Sequence, residues 1–296
     1  MNIAIIGAGF AGLATAYFLL EKKVHVTFFD AQGIGAGASG ISSGLLHPYP
    51  GLSAKRSAYA TEALASTHAL LAIAEAELGR PVADRSGILR VPQKEQVIAG
   101  DDIEQVEEKL FLIKSGATVY CTDYLEGLYR ACVRRGAKLV IERIDDLRAL
   151  DGYDAVVLAA GAGVRSFETG QTFDYLKGQT LCYKGTPPLE KSCISKGYLA
   201  LHPGGFEIGS TYERGFTSEA PCLETAQRLL KPLVDRYETG EFVGVKAAVR
   251  VACRGTYIPC VQKLSDRLFL YTGLGSRGLL YHAFFAQKLV NIMIPT

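Results

Sequence analysis

The run Asn2-Ile-Ala-Ile-Ile6 stops abruptly at Gly7. A short continuous apolar run of this kind marks a strand covered on both faces, as in a parallel sheet. Residues 13–23 then carry Ala14, Tyr17, Phe18 and Leu20 on one helical face, and residues 24–29 (Val-His-Val-Thr-Phe-Phe) read as a second strand closing on Asp30. The first thirty residues therefore predict a strand-helix-strand unit.

Further along, alanine, leucine and isoleucine recur at helical spacing over 57–78, ending at Gly79-Arg-Pro81. Residues 87–91 and 117–120 read as short strands, and the polar stretch 93–109 between them as surface loop and helix. A helix over 124–135 and strands over 138–142 and 154–160 follow, the last again of the doubly buried type. From 178 to 209 short segments alternate with turn residues, which predicts antiparallel strands. Residues 221–237 read as a helix interrupted near Pro232, residues 267–272 as a strand, 273–278 as a glycine turn and 279–292 as an apolar helix. The fold class is α/β: a doubly wound, Rossmann-like parallel-sheet domain formed by 1–79, 116–170 and 248–296, with an inserted antiparallel α+β substrate domain formed by 80–115 and 171–247.

Composition narrows the picture without changing it. With 296 residues, 48% hydrophobic content and 21% charge, the composition is that of an ordinary globular enzyme and nothing in it suggests disorder. A net charge of +2 provides no whole-protein field for nucleic acid. The densest basic cluster, Arg130, Arg134, Arg135 and Lys138, has the spacing of a solvated helix face. Seven cysteines form no Cys-x-x-Cys pair and no His/Cys cluster offers a metal site, so reduced thiols in a cytoplasmic protein are expected. The opening apolar run, without a basic leader and cut by glycines, reads as strand and turn rather than signal peptide, and no stretch is long and apolar enough to span a bilayer.

Gly7-x-Gly9-x-x-Gly12 gains meaning from its context, between a buried strand and a helix, with Asp30 at the end of the next strand. Gly7 permits the tight turn, Gly9 lets a pyrophosphate approach the backbone, Gly12 allows close helix packing, and the helix N-terminus offers unpaired N–H groups. Asp30 is placed to accept hydrogen bonds from ribose hydroxyls. A second run of small residues, Gly33, Gly35, Gly37, Ala38, Ser39, Gly40 and Gly44, suits a larger cofactor that needs a second backbone cradle.

Gly-Ala-Gly-x-Ala-Gly, Asp30-Ala31, Gly37-Ala-Ser-Gly40 and Gly44-Leu-Leu-His-Pro resemble the D-amino-acid oxidase and glycine oxidase superfamily of FAD-dependent oxidoreductases. Residues 249–254 (Val-Arg-Val-Ala-Cys-Arg), Pro259 and residues 273–279 (Gly-Leu-Gly-Ser-Arg-Gly-Leu) are similar, within it, to the FAD domains of bifunctional tRNA 5-methylaminomethyl-2-thiouridine biosynthesis enzymes. So are Lys177-Gly-Gln179 and residues 209–212. The resemblance implies non-covalent FAD held by Gly7, Gly9, Phe10, Ala11, Gly12, Asp30, Ala31, Ala38, Ser39, Gly40, Gly44, Leu45, Leu46, Ala160, Gly161, Gly275, Ser276, Gly278 and Leu279. It places Arg250 at a substrate-carboxylate position, a part suited to a bidentate guanidinium, and Arg277 beside substrate or flavin. His47, following the second cradle, is the remaining catalytic candidate. Cys253 lies near the region of covalent flavin attachment in some relatives, out of register with it.

No Ser/His/Asp set, carboxylate pair or Walker loop is present, as expected where a flavin does the chemistry. The expected activity is oxidation of a carboxylate-bearing amine to an imine. Its substrate is a free amino acid such as glycine or sarcosine, or the carboxymethylaminomethyl group of tRNA wobble uridine. A non-catalytic FAD-binding protein is the reading of another class.

Overall fold

The computed structural model describes residues 1–51, 53–92, 100–237 and 239–295. The strand-helix-strand unit lies at the centre of a six-stranded sheet. Its order is Cys260–Lys263, Leu268–Thr272, Ala155–Leu158, Asn2–Ile6, His25–Asp30 and Lys138–Ile141. The strands run parallel except for Cys260–Lys263, an antiparallel edge. The apolar runs are continuous because both faces are covered. Ile3 and Ile5 join the cluster of the helices Phe10–Glu21, Ala60–Leu78, Cys121–Arg134 and Gly278–Met293. Ala4 and Ile6 point the other way, onto Phe29, Leu158, Val164, Phe173 and Val251.

The second sheet has eight strands: Glu241–Cys253, Phe173–Lys184, Gly205–Gly209, Tyr198–His202, Cys193–Ile194, Ile88–Arg90, Leu110–Ile113 and Ile103–Glu107. Its first two strands pair antiparallel from Phe173 opposite Cys253 to Lys184 opposite Glu241. The helix Leu223–Tyr237 covers one face, setting Ala226, Leu230 and Leu233 on Leu181, Phe206 and Ile208. Between the sheets, Leu45–Leu46, Ala117–Val119 and Ala83–Asp84 form a small antiparallel sheet.

Three expectations about elements need correction, and one expected boundary divides a strand. Ile103–Glu107 is a strand, where surface loop and helix were expected over 93–109; residues 93–99 lie outside the described ones. Its residues are mostly exposed, because an edge strand is held by its ladder to Leu110–Ile113 and needs no apolar face. The helix Leu223–Tyr237 runs unbroken through Pro232. Pro232 and Arg228, whose carbonyl loses its N–H partner to the proline, are both exposed residues on the solvent side of the helix, where a freed carbonyl costs least. The antiparallel region begins at Phe173, five residues earlier than its glycines suggest. The expected domain boundary between 247 and 248 falls inside the strand Glu241–Cys253.

The basic cluster at 130–138 is largely ion-paired. Arg130 meets Glu126, Arg134 meets Glu77 and Arg135 meets Glu21. No helix among the described residues is long and apolar enough to cross a membrane.

Candidate FAD and substrate site

At the C-terminal end of Asn2–Ile6 the chain turns at Gly7, with φ of 108°. A Cβ there would sit 2.4 Å from the Ala159 carbonyl oxygen, so the turn containing Ala160 and Gly161 packs directly on the glycine loop. A Cβ on Gly12 would lie 1.9 Å from the Gly7 oxygen, which explains why the helix can start so close to its strand. Asp30 organises this loop. One carboxylate oxygen accepts from the Ala8 amide at 2.8 Å, the other from Gln32 and Gly33 at 3.0 and 2.9 Å. Three of its roughly four acceptor positions are thus engaged by backbone, leaving about one for a ribose hydroxyl.

The second glycine run folds over the first. Gly35 N–H donates to the Ala8 carbonyl at 3.0 Å, and the short helical turn Ala38–Ile41 brings Ser39 Oγ to accept from Phe10 N–H at 3.0 Å. Gly44, with φ of 79°, lies so close to Val119 that a Cβ would sit 1.9 Å from its oxygen. Leu45 and Leu46 then pair with Thr118 and Ala117, and Leu46 is wholly buried in the core. Ala31 is exposed just beyond the loop.

The terminal helix Gly278–Met293 starts at the same place. A Cβ on Gly278 would lie 3.3 Å from the Phe10 ring, so two helix N-termini, neither capped from its own N-cap side chain, converge here. Both project unpaired N–H groups and positive dipole ends into one region. Gly275, Ser276 and Arg277 form the turn before this helix, and Leu279 is buried in its first turn. A bridge between Ala252 and Leu274 ties that turn to the strand carrying Arg250.

Arg250 and Arg277 share an unusual electrostatic situation. Among the described residues, the arginines that are not exposed are Arg90, Arg135, Arg250 and Arg277, and of these only Arg135 has a carboxylate partner. Arg90, Arg250 and Arg277 each also bury an Nε with no hydrogen-bond partner. Arg250 donates one bond, from Nη2 to the Thr211 carbonyl at 3.3 Å, and faces the Tyr212 ring at 5.7 Å. Arg277 faces the Tyr257 ring at 4.5 Å. An internal salt bridge, the structural alternative for Arg250, is absent among the described residues, and no carbonyl caps the Arg277 side chain. A guanidinium withdrawn from solvent without a carboxylate partner has the chemistry to receive an anion.

His47 accepts from Tyr49 N–H at 3.2 Å through Nδ1. Burial, reinforced by the charges of Arg90 and Arg277, pushes its imidazole down to about 3. It is therefore neutral at physiological pH and serves as an acceptor.

Sequence reasoning missed Arg90, which is 2% exposed and donates to the Tyr49 carbonyl at 2.8 Å and to the Gly51 carbonyl. The available signal was a lone charge inside the apolar strand 87–91. It also missed a polar cluster facing the second cradle. Ser43 Oγ lies 2.7 Å from both Tyr198 Oη and a Glu207 oxygen, and Lys246 Nζ donates to Glu207 at 2.9 Å. Burial would raise the Glu207 pKa, but His202 and Lys246 outweigh it and hold the carboxyl at about 2. A cavity of about 350 Å³ adjoins the cluster, lined by Ser42, Tyr120, Asp123, His202, Glu207 and Lys246 among others. Lys177 and Gln179, on the opposite face, anchor the 211–222 segment. Lys177 Nζ donates to the Ser218 and Ala220 carbonyls, and Gln179 Oε1 accepts from Cys222 N–H.

The residues fit an FAD. Two glycine cradles lie where a Cβ would collide with backbone, two helix N-termini converge on them, and unpaired arginines stand beside them. Residues 2–292 match the DAO family, FAD dependent oxidoreductase, and the chain belongs to that family of FAD-dependent enzymes. Among curated proteins it is similar to the tRNA 5-methylaminomethyl-2-thiouridine biosynthesis bifunctional protein MnmC of Maricaulis maris, with 26% identity over 98% of this chain and 51% of the relative. The Marinobacter nauticus protein of the same name is 25% identical over 98% of this chain and 55% of its own length. The chain thus spans about half the length of these relatives. Among solved structures, glycine oxidase from Geobacillus kaustophilus shares the fold, with a TM-score of 0.80, 19% identity and coverage of 98% and 94% of the two chains. Iminodiacetate oxidase from Chelativorans gives a TM-score of 0.75 with 16% identity over 98% and 94%.

Proposed function

We propose that this chain oxidises the C–N bond of a carboxylate-bearing primary or secondary amine to an imine, with Arg250 as the carboxylate receptor. The supporting observation is the Arg250 guanidinium, which meets no carboxylate among the described residues and buries an Nε unpartnered among them, on the strand tied to the Gly275–Arg277 turn. FAD, when bound, supplies the two-electron acceptor. Gly7, Gly9, Gly12, Ser39 and Gly40 would hold it without covalent attachment, and the N-terminus of Gly278–Met293 would stabilise negative charge that it gains on reduction. Arg250 fixes the substrate by a bidentate pair, leaving the amine free to be oriented, and Arg277 adds positive potential. The amine loses two electrons and two protons, and water then hydrolyses the imine.

The favoured substrate is the carboxymethylaminomethyl group of a tRNA wobble uridine, chemically a substituted glycine. The similarity to two proteins of tRNA 5-methylaminomethyl-2-thiouridine biosynthesis supports it. Glycine or sarcosine would present the same amine and carboxylate.

The test is the visible spectrum of the purified protein, followed by anaerobic bleaching of the flavin band with glycine, sarcosine, D-amino acids and modified tRNA. Bleaching by a carboxylate-bearing amine, lost in Arg250→Ala, is the expected outcome. Full bleaching of Arg250→Ala at the same amine concentration would overturn the carboxylate assignment, and a flavin that no amine reduces would leave a non-catalytic FAD-binding protein.

A further inference from the structure

Two exposed tyrosines lie beside the arginines of the site. Tyr257 is 73% exposed on the 254–259 turn, with Arg277 against its ring at 4.5 Å. Tyr212 is 58% exposed, with Arg250 at 5.7 Å and Arg214 at 5.5 Å from its ring centre. The Ala252–Leu274 bridge brings the two arginine-bearing segments together, and Asp174 pairs with both Arg214, next but one to Tyr212, and Arg254, on the Tyr257 turn, so the two tyrosine-bearing segments meet at one carboxylate.

We propose that Tyr257 and Tyr212 form a stacking rim that holds a nucleobase of a single-stranded RNA loop, so that the amine reaches Arg250 attached to a nucleotide. This rests on the amine-oxidising reading of the site and names the carrier of its substrate.

The charge around the rings favours a nucleic acid. Arg214 and Arg254 both lean on the single carboxylate of Asp174, at 3.9 and 3.1 Å, which leaves excess positive charge at the surface. Arg250 and Arg277 add two further cations without carboxylate partners among the described residues. Aromatic rings interleaved with arginines are the surface on which unpaired bases stack while the backbone phosphates are neutralised, and RNA enzymes reach a base by taking it from a loop. A free amino acid satisfies Arg250 alone and gains nothing from exposed rings farther out. The Arg277 guanidinium lies over the Tyr257 ring at 4.5 Å, a cation–π contact that reduces the freedom the side chain has to lose when a base stacks on it.

The experiment uses the FAD-loaded enzyme and a fluorescent RNA hairpin with an unmodified, uridine-containing loop, and follows anisotropy over a range of KCl concentrations. Tyr257→Ala is expected to weaken the hairpin roughly ten-fold at every salt concentration, while Tyr257→Phe stays within about two-fold of wild type. Arg254→Ala should flatten the salt dependence by about one unit of slope. Equal binding by Tyr257→Ala and wild type, or no binding of the hairpin by wild type, overturns the proposal. Anisotropy needs no turnover, so failed amine oxidation leaves the rim readable. Conversely, an enzyme bleached by glycine that ignores the hairpin sinks the rim and keeps the oxidase.

Discussion

Arg250 lies against the backbone of Gly178 on the neighbouring strand, so closely that a Cβ at 178 would come 2.9 Å from Arg250 Nη2. The colliding atom is the end of a flexible side chain, which can move aside. Gly178→Ala should therefore cost less than about 1 kcal/mol of stability yet push the guanidinium out of place. We expect KM for a carboxylate-bearing amine to rise about ten-fold with flavin content unchanged. An unchanged half-saturating amine concentration in anaerobic flavin reduction would show that the Arg250 position does not matter.

Gly12 presents the opposite case. Its Cβ would meet the Gly7 carbonyl oxygen at 1.9 Å and the Gly7 carbonyl carbon at 3.0 Å, both backbone atoms that cannot step away. Gly12→Ala must part the helix Phe10–Glu21 from its strand, at a cost of about 1–3 kcal/mol, and distort the first cradle. Thermal unfolding and flavin content measured on the same preparation should both fall. A stable variant that keeps its full flavin complement would contradict the role given to that approach.

His282 is wholly buried, with Nδ1 at 3.1 and 3.0 Å from the carbonyls of Gly278 and Leu279. Two carbonyl acceptors require the proton on Nδ1, so Nε2 accepts from Tyr124 Oη at 2.5 Å. Burial pushes the imidazole from 6.5 down to about 4. Between those values the unfolded chain binds the proton and the folded chain does not, so stability falls as pH drops through that window, by up to about 3 kcal/mol. His47 acts in the same direction. Thermal melts between pH 7 and 4.5 should show a shallower decline for His282→Gln. That range lies above the window of Glu207, held at about 2. Parallel curves would mean that His282 is not the titrating group.

The nucleotide half of the site was legible because its determinants are local. Gly7, Gly9 and Gly12 are three residues of one turn, Asp30 closes the next strand, and a buried strand leaves a continuous apolar run wherever it lies in a sheet. The substrate half was less legible. Arg90 reads as an ordinary charge until the strand Ile88–Arg90 is seen with its guanidinium turned inward onto the 49–51 carbonyls. Ser43, Tyr198, Glu207 and Lys246 come from four separate segments and carry no spacing signal. The edge strand Ile103–Glu107 was invisible because its partner, rather than its own side-chain pattern, makes it a strand.

The sequence by itself marked two glycine runs after the first two strands, and its resemblance singled out Arg250 and the residues 275–278 (Gly-Ser-Arg-Gly) as a pattern suited to a flavin. Only the tertiary structure decided what Arg250 touches. The register that sets it opposite Leu176 and beside Gly178 joins strands far apart in the chain, Phe173–Lys184 and Glu241–Cys253, and a shift of one position would turn its side chain to the other face. Periodicity is written in neighbouring residues, whereas register is settled by the packing of both sheet faces together.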